Sequence, residues 1–273
     1  MTASLLWIAA TAALFADYES TRLIEPGGDP ATGHLVNVSL DGRPVDLELP
    51  TIVFVHGLNF APRLIHFGMA DRFGEAVDGR GDPPVNLLGW NWNAATMAGL
   101  NRQANRDLAV AQGVRLARAL HRLKIDPEKT HLIGQSSGTI VVASAASVLR
   151  KGTGHKLAQV TVLDPPIASH DLVFEAYDVT ESAKVADHAW ALGPSGLGGP
   201  YWREGLRNTQ VEAPRPWAGI LNPRYSAHLN VVRWYILTAA DRSQPGGFNA
   251  SVFAGEAGDS GSKETTAHSG EIP

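Results

Sequence analysis

Short apolar runs that alternate with longer helical stretches are the feature that most restricts the fold of this chain. The runs are rich in β-branched residues and nearly continuous in hydrophobicity, which is typical of parallel strands covered on both faces. Residues 101–123 and 138–150 are predicted helices. The alternation predicts an α/β fold with a doubly wound, mostly parallel sheet flanked by helices. The predicted strands span residues 35–40, 51–55, 85–90, 131–133 and 160–163.

The composition agrees with one large domain and excludes several classes of protein. With 273 residues, of which 44% are hydrophobic and 18% charged, the chain can bury a sizeable core. A formal net charge of −4 and the absence of a long basic run argue against a nucleic-acid partner. Cysteine is absent, which excludes disulfides, thiolate metal sites and a cysteine nucleophile.

The two ends of the chain differ in composition from its body. Residues 4–16 are apolar and uncharged, but a membrane span needs about 20 residues, so no stable span is expected. This segment fits either the apolar region of a secretory signal or a buried first element, because no Lys or Arg precedes it. Export and a cytoplasmic location therefore both remain open. Residues 254–273 are predicted to be a disordered tail, which leaves residues 17–253 as the domain.

One turn carries the strongest chemical signal. The run His131-Leu132-Ile133 leads directly into Gly134-Gln135-Ser136-Ser137-Gly138, and a predicted helix follows at once. In this G-x-S-x-G pattern the central serine occupies a strained turn that exposes its hydroxyl at the end of the sheet. We therefore predict that Ser136 is a nucleophile and that the backbone N–H of Ser137 donates to an oxyanion. The alternative is an ordinary Gly/Ser turn between a strand and a helix.

A second motif precedes the serine turn in the chain. Residues 51–58, with the sequence TIVFVHGL, form a strand that ends in His56-Gly57, about 80 residues before Ser136. Together with the serine turn, this segment resembles the α/β-hydrolases, in particular their lipase-like and esterase-like members. The resemblance implies that the residue after His-Gly, here Leu58, supplies the second N–H of an oxyanion hole. It also implies the chain order serine, acid, histidine for a catalytic triad.

The acid of such a triad is predicted at the end of the next strand. The string Val162-Leu163-Asp164-Pro165-Pro166 resembles the acid segment of the pancreatic-lipase-like branch of the family. Asp164 is therefore the predicted acid, although an aspartate at the end of a strand before proline also commonly caps a turn. Asp187, within a candidate strand 184–192, is the first alternative, and Asp178 is the second.

The base must follow the acid in the chain. His228 lies just before an apolar helical run at 230–237, which resembles the late loop that carries the histidine in lipase-like members. Histidine suits proton transfer because its ordinary pKa lies near neutral pH. His170 and His188 are the alternatives, whereas His268 falls in the predicted tail.

The substrate side is less marked in the sequence. The candidate pocket residues are aromatic or amide side chains near the predicted strand ends, and each could instead be a core or loop anchor. They are Asn59, Phe60, Trp90, Trp92 and Trp217. Three features depart from the lipase pattern. Gln135 stands where lipases usually carry His or Tyr, and Ser137 is small and polar where they often have an apolar residue. The cysteines common in secreted lipases are also missing, so an esterase is favoured over a lipase.

These observations predict a serine hydrolase that cleaves carboxylic esters through an acyl-enzyme. Its substrate would be a small-molecule or lipid ester, and no signature of a metal site, a nucleotide or another cofactor is present. Two alternatives use the same residues. One is a peptidase or amidase, because triad chemistry does not specify the leaving group, and the other is a binding protein without turnover. The sequence carries no signal for an oligomeric state.

Overall fold

A seven-stranded sheet forms the centre of the protein. The computed structural model describes residues 33–58, 67–92, 102–191, 198–211 and 223–255. The strands lie in the spatial order β1-β3-β2-β4-β5-β6-β7. Their bounds are β1 His34–Asn37, β2 Thr51–Val55, β3 Asn86–Asn91, β4 Thr130–Gln135, β5 Leu157–Leu163, β6 Ala183–Ala191 and β7 Leu206–Val211.

All strand pairs are parallel except the first. Strand β1 pairs with β3 in the antiparallel direction, whereas β2, β3, β4, β5, β6 and β7 run in one direction. The register places Val55 opposite Gly134 and Gln135 opposite Leu163. The carboxyl ends of β2, β4 and β5 therefore meet at one edge of the sheet, where ligands bind in open α/β folds.

Helices cover both faces of the sheet and create two apolar cores. Helices α2 (Arg102–Arg122) and α3 (Gly138–Thr153) pack over one face, whose buried side chains include Val53 and Val160. Helices α1 (Phe67–Asp78) and α5 (Pro223–Ala240) pack over the other face. A short helix, α4 (Val179–Ser182), precedes β6. The predicted doubly wound, mostly parallel fold is confirmed.

The observed elements extend or shift several predicted ones. Strand β2 agrees residue for residue, and the candidate strand 184–192 is observed as β6, shifted by one residue. Strand β7 and helix α1 were not predicted. Helix α5 begins at Pro223, earlier than the predicted 230, so His228 lies inside a helix rather than in a loop before it. Proline suits the first turn of a helix because the N–H it lacks has no partner there.

Several predicted segments lie outside the described residues. These are the N-terminal segment 1–16 and the tail 254–273, of which only Ala254 and Gly255 are described. Among the helices that the structure describes, none is both long enough and apolar enough to cross a membrane.

Candidate active site

Ser136 occupies a strained turn between β4 and α3. Its φ of 54° is left-handed, a conformation that costs energy for a residue with a side chain. Two backbone hydrogen bonds hold the turn: the Ser136 N–H donates to Leu163 O at 2.9 Å, and Thr139 N–H donates to Ser136 O at 3.0 Å. The serine therefore stands at the carboxyl end of β4, beside the end of β5.

The two glycines that flank the turn are required by close backbone approach. A Cβ on Gly134 would lie 2.5 Å from Gly138 O. A Cβ on Gly138 would meet the carbonyl oxygens of Val55 and His56 at the end of β2. The pattern G-x-S-x-G thus follows from the tight passage of the chain between strand and helix.

Asp164 and His228 form a buried pair at the same edge. His228 Nδ1 and Asp164 Oδ2 are 2.5 Å apart, and the side chains are 8% and 3% exposed. Asp164 has a left-handed φ of 49°, and its Oδ1 accepts a hydrogen bond from Ala191 N–H at 3.2 Å. Because a carboxylate only accepts hydrogen bonds, the proton of this contact belongs to Nδ1, which leaves Nε2 as the acceptor side of the ring.

The second nitrogen of the ring faces the serine turn. His228 Nε2 lies 3.2 Å from Nε2 of Gln135, the residue before Ser136. The helix α5 thus delivers the histidine to the end of β4, while the strand end of β5 delivers the aspartate. Because Ser136 follows Gln135 directly, the serine turn and the His228–Asp164 pair lie at the same edge of the sheet.

The candidate oxyanion donors border the same turn. Gly57 N–H donates to Gln135 Oε1 at 3.0 Å, and a Cβ on Gly57 would lie 2.7 Å from Ser136 Cβ. Leu58 follows directly. In the part of the chain that the structure describes, the N–H groups of Leu58 and Ser137 donate to no hydrogen bond.

The alternative acids have structural partners of their own. Asp187 lies within β6, where Arg207 donates two hydrogen bonds to its carboxylate at 2.6 and 2.9 Å. Asp178 caps α4 by accepting from Thr180 N–H at 3.2 Å, and it also pairs with Arg203. Neither carboxylate contacts a histidine within the described ranges, whereas Asp164 contacts His228.

The alternative bases lie in an aromatic cluster. His188 is fully buried, stacks on Trp190, and its Nδ1 lies 2.9 Å from Asn208 Oδ1. Burial lowers the pKa of His188 to about 4. Burial also lowers the pKa of His170, whose ring packs edge-on against Phe174. Groups held neutral by burial are poorly matched to proton transfer near neutral pH.

The tryptophans predicted to line a pocket are core residues. Trp90 and Trp92 are 1% and 0% exposed. The indole N–H of Trp90 donates to Gln112 Oε1 at 3.2 Å, and that of Trp92 donates to His56 O at 2.9 Å. With their polar atoms satisfied inside the core, these side chains give no support to a pocket role. The other three pocket candidates, Asn59, Phe60 and Trp217, lie outside the described residues.

Two residues that were not predicted to belong to the site also border it. Gln135 contacts both the loop after β2 and His228. Gly198 lies against the carboxylate of Asp164, where even a single Cβ would overlap Oδ1. Neither contact has a sequence signal, because both partners are distant in the chain. Within the described ranges, no group of three or more His, Asp or Glu side chains is placed to hold a metal ion.

The position of Gly198 leads to a prediction. We expect Gly198→Ala to displace the Asp164 carboxylate and to lower kcat/KM for an ester by about 100-fold, since small misplacements in an active site have effects of this size. The measurement is steady-state hydrolysis of p-nitrophenyl butyrate, with circular dichroism to verify the fold.

The neighbouring glycine supplies the control for this variant. A Cβ on Gly199 would meet only the flexible end of Ile167, at 3.1 Å. Gly199→Ala should therefore keep nearly full activity. Equal loss in both variants would show that this loop, rather than the carboxylate, is what the substitution disturbs.

Comparison with known proteins gives similarity in fold at low sequence identity. No family model matches the chain, and no curated protein matches it. An esterase from Pyrobaculum calidifontis is 14% identical, with 76% of this chain and 80% of that chain covered and a TM-score of 0.40. A thermophilic carboxylesterase cloned from a metagenomic library is 16% identical, with 83% and 95% covered and a TM-score of 0.38. An esterase from Thermogutta terrifontis is 11% identical, with 79% and 90% covered and a TM-score of 0.42.

Values this low describe a general likeness and carry no argument about substrate or residue roles. The chain itself has the expected doubly wound, mostly parallel sheet, with the serine turn between β4 and α3. What the protein does must be argued from its own geometry.

Proposed function

We propose that the protein is a serine hydrolase that cleaves carboxylic esters, with Ser136 as nucleophile, His228 as general base and Asp164 as the acid. One observation supports this above all others. The buried hydrogen bond between Asp164 and His228 lies at the sheet edge where Ser136 is held in a strained turn. Nucleophile and orienting carboxylate thus lie at neighbouring strand ends, and helix α5 supplies the base, which are the three roles that acyl transfer requires.

The proposed reaction moves one proton back and forth between Ser136 and the substrate through His228. Ser136 Oγ attacks the ester carbonyl as its proton passes to His228 Nε2, and a tetrahedral oxyanion forms. The imidazolium then gives this proton to the departing alkoxide, which leaves as the alcohol. Water attacks the resulting acyl-enzyme by the same route and releases the carboxylic acid. Asp164 holds the ring in the required tautomer and stabilises the transient imidazolium.

Hydrogen-bond donors from two loops would stabilise the negative charge of the oxyanion. The N–H groups of Leu58 and Ser137 are the proposed donors, and each is expected to contribute about 3 kcal/mol to transition-state stability. Helix α3 begins at Gly138, immediately after the nucleophile, so its positive N-terminal end also points toward the developing charge.

An activated-serine probe tests the proposal directly. A fluorophosphonate should label the protein once, with formation of an Oγ–P bond and loss of fluoride, and peptide mapping should place the adduct on Ser136. Ser136→Ala should remain unlabelled, whereas Ser137→Ala should be labelled like the wild type. A binding protein without turnover would show no labelling. A parallel comparison of p-nitrophenyl butyrate with its p-nitroanilide distinguishes an esterase from an amidase, since the amine is the poorer leaving group.

A further inference from the structure

Gln135 connects two parts of the site that are far apart in the sequence. It is the last residue of β4 and is 1% exposed. Its Oε1 lies 3.0 Å from the N–H nitrogen of Gly57, and its Nε2 lies 3.2 Å from Nε2 of His228. One amide group therefore bridges the loop that carries the candidate oxyanion donor and the ring of the candidate base.

The partners of this amide fix which way round it stands. A backbone N–H can only donate, so the oxygen of the amide must face Gly57. The NH₂ group then faces His228 Nε2, which has a lone pair in a neutral ring that donates from Nδ1 to Asp164. The donor and the acceptor are thus defined for each hydrogen bond in the series that runs from Gly57 through Gln135 and His228 to Asp164. A flip of the amide would break both of its contacts at once.

This polarity matches a ring whose Nε2 accepts a hydrogen bond. An amide N–H can donate to the Nε2 lone pair of the neutral ring, but it would face another N–H if Nε2 were protonated. A hydrogen bond made to only one protonation state stabilises that state. The neutral ring is the form that can accept the proton of Ser136. In the described part of the chain, the Ser136 hydroxyl makes no hydrogen bond of its own.

We propose that Gln135 is a positioning residue that ties the oxyanion loop to His228 and orients Nε2 of that ring as an acceptor, until the hydroxyl of Ser136 replaces the amide as donor. This inference rests on the proposed function for its kinetic consequence. Its structural content, the polarity of the Gln135–His228 contact, is measurable without turnover.

Three other titratable groups lie near this contact. Asp164 holds the opposite side of the His228 ring. His56 lies in the loop after β2, with Nδ1 2.7 Å from Gly57 O and Nε2 accepting from Trp92 N–H at 3.3 Å. Burial lowers the pKa of His170, and the negative charge of Asp164 partly opposes this effect.

Two substitutions test the two contacts of the Gln135 amide. Gln135→Glu keeps the shape and the acceptor for Gly57, but it replaces the NH₂ group with an oxygen that favours a protonated ring. Gln135→Met removes both contacts and keeps the length. We expect the acidic limb of the pH profile of kcat/KM to move upward by about 0.5 pH unit in Gln135→Met and by about 1 unit or more in Gln135→Glu.

Nuclear magnetic resonance of the His228 ring provides the readout that does not depend on catalysis. Both proteins in this measurement also carry Ser136→Ala. The chemical shift of the His228 Cε1–H should change at a higher pH in Gln135→Glu than in the protein that keeps Gln135. If the Glu variant titrates and works like the wild type, Gln135 only anchors Gly57 and the inference is overturned. If the wild type has no esterase activity but the resonance shifts as expected, the proposed function fails and the polarity of the contact stands.

Discussion

Ser136→Ala is expected to lower kcat for p-nitrophenyl butyrate by about 10⁶-fold, the loss measured when the serine of a triad protease is removed. The reason is that alanine cannot form the acyl-enzyme, so His228 and Asp164 have no nucleophile to activate. The substitution removes one oxygen from a turn held by backbone hydrogen bonds to Leu163 and Thr139, so the fold should persist. Some acceleration over water should remain, because an oxyanion hole and substrate binding contribute without the serine.

The adjacent serine provides a matched control. Ser137 is assigned to the oxyanion hole through its backbone N–H, and its side chain makes no capping hydrogen bond to α3. Ser137→Ala keeps that N–H and should therefore keep kcat close to the wild-type value. Activity that survives in Ser136→Ala, or that disappears equally in both variants, would contradict the assignment of the nucleophile.

The parts of the site that follow from local sequence were predictable. The serine turn needs only a strand, two glycines and a helix in direct succession, and all of these are contiguous between His131 and Thr153. The buried parallel strands were predicted for a similar reason, since a strand covered on both faces needs a nearly continuous apolar run. Strand β2 has this character along its whole length.

The elements that were not predicted lack such a local signal. Strand β7 has the sequence LRNTQV and lies at the edge of the sheet, where only one neighbour pairs with it and only its first and last residues are buried. Helix α1 contains two glycines, Gly68 and Gly74, which weaken its helical propensity. Tertiary packing against α5 and Phe54 compensates for this through aromatic contacts of Phe73.

Contacts between distant segments account for the rest. Gln135 stands 78 residues from Gly57 and 93 residues from His228, so no window of sequence reveals that it joins them. The triad acid is hard to assign from the sequence for the same reason, because Asp164 and Asp187 both belong to strand regions of similar composition. Only the sheet register and the position of α5 bring His228 to Asp164 and leave Asp187 with Arg207.

The second large effect is expected for Asp164→Asn, which should lower kcat by about 10⁴-fold, as in other triads that lose the charge of their acid. Asparagine has nearly the same shape, and its oxygen can still accept from Ala191 N–H, so the loop after β5 should keep its conformation. Its NH₂ group would then face Nδ1 of His228 and favour the opposite tautomer, with the proton on Nε2. A ring protonated there cannot accept the proton of Ser136.

Asp187→Asn tests whether this effect belongs to Asp164 alone. It removes the negative charge opposite Arg207, and because the Arg207 side chain is 49% exposed, a loss of about 1 kcal/mol in the free energy of unfolding is expected. Its kcat should stay near the wild-type value. The measurements are steady-state kinetics on p-nitrophenyl butyrate and urea denaturation for both variants. The reverse pattern, with Asp187→Asn inactive and Asp164→Asn active, would assign the acid to β6.

The contact with Gln135 strengthens the expectation for Asp164→Asn. In the wild type, the two sides of the His228 ring agree, because Asp164 accepts from Nδ1 while the amide of Gln135 donates to Nε2. The tautomer favoured by asparagine would place an N–H against the Gln135 NH₂ group, which Gly57 prevents from turning. The variant must therefore lose one hydrogen bond of the ring or break the bridge to the oxyanion loop. For this reason we expect Gln135→Glu, combined with Asp164→Asn, to restore a partner for Nε2–H without restoring kcat.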